Sequence, residues 1–186
     1  MKRLSVFTLL MAAAALSAPR VSVLAADAYP RTIVADAHAQ SGVTTITSKV
    51  TITIDRLIAA TPRTRVLDGL KYNGFQGFMD ALRPLPAIGV IATQSREVKV
   101  QYAWETKTDG GSRLVVVAGQ PLFFLAADAT KKRAGYDLTV VDLLFDATGA
   151  ATGMLAGAAR VKPAPDGVVL DDYAAAPVQL AVAASK

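Results

Sequence analysis

Between positions 46 and 55 the chain alternates without a break: Ile46, Ser48, Val50, Ile52 and Ile54 against Thr47, Lys49, Thr51, Thr53 and Asp55. A period of two is that of a β-strand with one dry and one wet face. The threonines are β-branched as well as polar, so propensity and pattern agree. Such a strand must find neighbours to bury its apolar face, and the remainder of the chain has to supply them.

It does so downstream. From Ile88 onward the sequence reads as strands separated by turn chemistry. Val98, Val100, Tyr102 and Trp104 are expected on one face, with Glu97, Lys99, Gln101 and Glu105 on the other. Asp109-Gly110-Gly111 reverses the chain into the apolar run Leu114 to Ala118. Tyr136 to Phe145, Met154 to Val161, Val168 to Tyr173 and Val178 to Val182 follow, the last two as one strand interrupted near Pro177 or as two short ones. Strands joined by turns this short are antiparallel, because parallel neighbours need crossovers of roughly a dozen residues or more.

One segment carries a different period. Thr61-Pro62 has the form of an N-cap followed by proline at the first helical position, and Val66, Leu67 and Leu70 share a face before Asn73-Gly74. Phe75, Phe78, Met79 and Leu82 then repeat the helical spacing until Arg83 and Pro84. Two short helices, over 62–72 and from 75 to about 83, make a helical hairpin inserted after the first strand, its stripes covering an open end or face of the sheet. The expected fold is mainly β, α+β in strict terms: an antiparallel β-sandwich or barrel with that hairpin.

The first 25 residues read differently. Met1-Lys2-Arg3 precedes an apolar run from Leu4 to Ala18, short of the ~20 residues a spanning helix needs, and Val23-Leu24-Ala25 fits a leader-peptidase site, with Ala18 as the competing one. The expected organisation is therefore a signal peptide at 1–25, a loose Ala- and Asp-rich lead-in at 26–42 and a single β-rich domain at 43–186. With no cysteine after the leader, a lipoprotein anchor is not expected, nor is a transmembrane segment after cleavage. The protein is read as periplasmic or secreted.

Charge and composition then narrow the chemistry. The full chain has 20 Lys and Arg against 15 Asp and Glu, net +5, but Lys2, Arg3 and Arg20 leave with the leader, so the mature chain carries +2. A charge that small gives little ground for nucleic-acid binding. The absence of cysteine and the single histidine, His38, remove thiolate zinc sites, cysteine nucleophiles and clustered histidine ligands. No catalytic residue, metal or cofactor is expected.

Several segments in order carry a resemblance: Ala81-Leu82-Arg83-Pro84-Leu85-Pro86-Ala87-Ile88-Gly89, Asp109-Gly110-Gly111-Ser112-Arg113, Tyr136 to Leu143, Val169 to Tyr173, and Pro177-Val178-Gln179-Leu180. Together they resemble a family of exported bacterial β-rich proteins with no assigned biochemical function. The chain departs from that pattern in having Gln120 where the family has arginine before the proline, and Gly149-Ala150-Ala151-Thr152-Gly153 where it has a Gly-x-Gly-Glu-Gly-like turn. The resemblance implies export and one β-rich domain, and it contributes no catalytic residue.

Each remaining constellation has a plain alternative. Asp142, in an apolar strand, is either a general acid with a raised pKa or a hydrogen-bonded strand aspartate on the face away from Val141, Leu143 and Phe145. Asp166 with Asp171-Asp172 lacks the spacing of a calcium loop and reads as turn charge. Lys131-Lys132-Arg133 reads as a loop charge run. Tyr102, Trp104, Phe75 and Phe78 are either core or the lining of an apolar pocket between the helical hairpin and the sheet. The small residues from Met154 to Ala159 leave room either for a ligand or for a closely packed helix. The function expected is a non-enzymatic binding or interaction module of the bacterial envelope, its partner a small hydrophobic ligand or an envelope protein. The alternatives are a cofactor-free hydrolase or isomerase using aspartates, and an envelope structural protein.

Overall fold

The alternating stretch forms the strand β2 (Thr44–Ile54), and its partners close most of a ring around it. A computed structural model describes residues 29–41, 43–124 and 133–184. The elements are β1 (Arg31–Ser41), β2, α1 (Ala60–Leu82), β3 (Gly89–Ala92), β4 (Glu97–Val100), β5 (Tyr102–Thr108), β6 (Gly111–Ala118), β7 (Leu138–Asp146), β8 (Ala151–Ala164), β9 (Gly167–Tyr173) and β10 (Val178–Val182). All neighbours are antiparallel, in the order β4-β3-β2-β1-β10-β8-β7-β6-β5, with β9 against the far half of β8. Because β4 and β5 are consecutive in the chain, the two ends of this order meet, and the sheet is a nearly closed barrel rather than a sandwich. The expected leader and the Lys131-Lys132 pair lie outside the described residues.

Directly opposed residues of antiparallel strands share a face, so the registers trace rows around the barrel. One row runs Glu105, Leu114, Leu143, Gly153, Leu180, Ala37 and Ser48. It belongs to the inner face, which Ile33, Val50, Ile52, Val116, Val141 and Leu155 fill. The adjacent row, Trp104, Val115, Asp142, Met154, Gln179 and His38, lies on the outer face. Among the described residues the inward side chains pack the inner face.

Two expectations are corrected here. The segment 26–42, expected as a loose lead-in, is strand over Arg31–Ser41. It alternates as a strand should, but its inward positions after Ile33 are Ala35 and Ala37, both fully buried, and alanine has neither the bulk nor the β-propensity that makes a strand visible in a sequence. The helical hairpin therefore follows the second strand. The other correction concerns Tyr102 and Trp104, which were expected to share a face with Val98 and Val100. Val98 and Val100 face inward, opposite Ile91 and Gly89, yet on β5 the inward residues are Ala103 and Glu105. The phase flips at Gln101, whose N–H donates to the carbonyl of Val117 although Val117 already opposes Tyr102. Two residues facing one is a bulge, and it turns Tyr102 and Trp104 outward.

The helical segment begins at N-cap Ala59, two residues before the expected cap, without a side-chain cap. Pro62 is tolerated there because the first N–H groups of a helix have no intrahelical partner. At Gly74 the backbone leaves the helix (φ 64°, ψ −156°), dividing α1 into two arms. The arms fold back so closely that a Cβ on Gly69 would stand 2.5 Å from the carbonyl oxygen of Gly77. α1 packs against β8, where Ala156, Ala158 and Ala159 are buried. The small-residue strand thus accommodates a helix.

Candidate functional site

On the outer face, side chains from five elements gather around Trp104. β5 presents Tyr102 and Trp104, β6 Arg113 and β7 Asp142. The first turn of α1 brings Arg63, whose guanidinium lies 3.9 Å from the centre of the Trp104 ring. The two-residue turn between β8 and β9 brings Asp166 beside Gly167. Arg113 donates to both oxygens of Asp142, from Nε at 2.9 Å and from Nη2 at 2.7 Å, and reaches the Asp166 carboxylate at 3.3 Å. Arg63 Nη2 donates to the carbonyl of Asp166 at 3.0 Å. The Asp142 hydrogen bonds, with the nearby charge, hold the Arg113 guanidinium above its already high pKa in spite of burial. Burial raises the Tyr102 phenol, opposed by Arg63 beside it.

Three buried polar groups here have no hydrogen-bond partner: Arg63 Nε, Tyr102 Oη and Trp104 Nε1. They converge. A Cβ added at Gly167 would stand 2.8 Å from Tyr102 Oη, 3.7 Å from Arg63 Nη2 and 4.0 Å from Trp104 Cδ1. Gly167 also has φ of 146°, so glycine is needed at this place on both counts.

The four aromatic residues expected to line one pocket are dispersed. Tyr102 and Trp104 stand together under Arg63 and the turn. Phe75 lies under Arg160, 5.0 Å from its ring centre, and Phe78 is fully buried on the packing face of α1. The carboxylates weighed as acids or calcium ligands are engaged. Asp142 is held by Arg113, Asp171 pairs with Lys162 at 3.4 Å, and Asp172 accepts from the Tyr136 hydroxyl and the Tyr173 amide, which lower its pKa. His38 is exposed on the outer face of β1. Among the described residues no group of three or more His, Asp or Glu is placed to hold a metal ion.

A second place lies at one mouth of the barrel. Glu105, 1% exposed, accepts from Ser112 Oγ at 2.5 Å, Tyr29 Oη at 2.6 Å and Arg31 Nη1 at 3.4 Å. Arg31 stacks on Phe145 at 4.1 Å. Phe145 in turn helps line an open depression of about 690 Å³ whose apolar wall comprises Leu144, Phe145, Ala151, Ala181 and Val182, with Thr108-Asp109-Gly110 at its rim. Leu144 is 52% exposed there. Sequence reasoning missed this depression, although one signal was present: an outward leucine next in phase to Asp142. Comparison with known proteins finds no matching family model, no matching curated protein and no matching solved structure.

Proposed function

We propose that this chain is an exported, non-enzymatic binding module of the bacterial envelope that takes a small hydrophobic ligand in the depression at the barrel mouth. The observation that carries this reading is the concave apolar wall of Leu144, Phe145, Ala151, Ala181 and Val182, of a volume suited to a small molecule. The competing aspartate-based hydrolase or isomerase needs a free acid and base, whereas Asp142 and Asp172 already accept strong hydrogen bonds and Asp166 faces Arg113.

Native mass spectrometry of the mature protein from its own periplasm, with denaturing extraction, tests the reading and gives the leader cleavage site from the same mass. The expected result is a stoichiometric apolar adduct, and binding of N-phenyl-1-naphthylamine that Leu144→Asp weakens about tenfold or more. An adduct-free protein on which the dye binds no better than on Leu144→Asp overturns it.

A further inference from the structure

The cluster around Trp104 contains donors that the protein itself does not use. Arg63 Nε–H, Tyr102 Oη–H and Trp104 Nε1–H are all buried and unpartnered, and buried donors without an acceptor are costly unless something supplies one. The surroundings specify its charge. Arg63 and Arg113 face Asp142 and Asp166, so the cluster is neutral only while Asp166 sits on it. Asp166 belongs to a two-residue turn joining β8 and β9, and it touches the cluster through the Arg113 ion pair and the Arg63 hydrogen bond to its carbonyl. With the turn lifted, Asp142 balances one arginine and leaves one positive charge, the three unused donors together with Arg63 Nη2 and Arg113 Nη1 that Asp166 had engaged, and the faces of two aromatic rings.

We propose that this cluster is a binding site for a monocarboxylate, occupied in cis by Asp166 as a lid. One carboxylate oxygen replaces that of Asp166 on Arg113, and the other takes the donors of Arg63, Tyr102 and Trp104. A single negative charge matches the single positive charge exposed, whereas a dianion such as phosphate meets Asp142 as well. The short substituent of the acid lies against Trp104, in the place of the Asp166 side chain. This site is independent of the apolar depression at the barrel mouth, and neither proposal requires the other.

Trp104 is the only tryptophan, so intrinsic fluorescence reports on this place alone. Asp166→Asn and Asp166→Ser remove the resident carboxylate from a half-buried turn position, and both are titrated with butyrate against wild type. The expected result is a saturable change in Trp104 emission, with half-saturation at least about tenfold lower in concentration in both variants than in wild type. Neutral butyramide gives no change, inorganic phosphate binds more weakly than butyrate, and Arg63→Gln added to Asp166→Asn abolishes the gain. Butyrate binding no tighter in either Asp166 variant than in wild type overturns the proposal, as does a gain that survives Arg63→Gln. Phosphate binding more tightly than butyrate overturns the choice of a monocarboxylate.

Discussion

A carboxylate inside a barrel is retained only if donors replace the water it has lost. Glu105 has three such donors, Tyr29, Ser112 and Arg31, and two of them come from the opposite side of the sequence, 76 and 74 positions away. Removing it strands all three. Glu105→Ala is expected to lower stability by about 3 kcal/mol in urea unfolding, the lower end for a broken buried pair because Arg31 is still partly hydrated. A loss below about 1 kcal/mol would mean that the network is solvated. The same network makes stability depend on pH at the alkaline end. Burial, and then the hydrogen bond and charge of Glu105, raise the Tyr29 phenol well above its ordinary value near 10. Below that value the proton is present in both states and the hydrogen bond contributes fully. As pH rises past it, the unfolded chain releases a proton that the folded chain retains, and stability falls. Buried Tyr102 is raised as well, and so is Tyr136 through its hydrogen bond to Asp172, so the wild-type decline contains all three. Tyr29→Phe is expected to flatten the decline in unfolding free energy between pH 9 and 11, and an unchanged slope would contradict the assignment.

At the scale of elements, the helical hairpin depends on its glycines. Gly69→Ala improves intrinsic helix propensity by about 1 kcal/mol, but the new methyl would lie 2.5 Å from the Gly77 carbonyl oxygen, a backbone atom that cannot swing aside. Overpacking of this kind costs about 1–3 kcal/mol, so a net destabilisation of about 1 kcal/mol or more is expected in urea unfolding. A stabilised Gly69→Ala would show that the arms do not touch. The spacing of Val66, Leu70, Phe78 and Leu82 made both arms legible, and Asn73-Gly74 marked the bend. β2 was legible because isoleucine and threonine announce both face and propensity, whereas β1 was not because alanine faces the core. The bulge at Gln101 was invisible because the alternation of side chains runs straight through it, and only the pairing with Val117 shows the phase change. For the candidate sites, Tyr102 beside Trp104 could be read from their spacing. Arg63 over Trp104 and its bond to the Asp166 carbonyl, 103 positions away, could not.

For the molecule as a whole, closure decides how the chain unfolds. An open sheet frays from its edges, whereas in a nearly closed barrel the two end strands cover one another. Here the near-closure rests on the passage from β4 to β5. On one side Ile88 donates to the Val100 carbonyl, and on the other Gln101 donates to Val117 while its side-chain oxygen accepts from the Gly119 amide at 2.8 Å. Gln101 is itself buried, so Gln101→Ala leaves the Gly119 N–H without its partner, and a loss of about 1–2 kcal/mol is expected. The larger consequence concerns cooperativity. If the ring is intact in solution, the amides of Ile88 and Gln101 exchange with the same opening free energy as amides in the middle of β7, because all open together. In Gln101→Ala that equality breaks, and β3 and β4 exchange faster than β7. Hydrogen exchange followed residue by residue separates the cases: unequal protection already in wild type would mean that the sheet is open between β4 and β6, and equal protection in the variant would mean that Gln101 does not hold the seam.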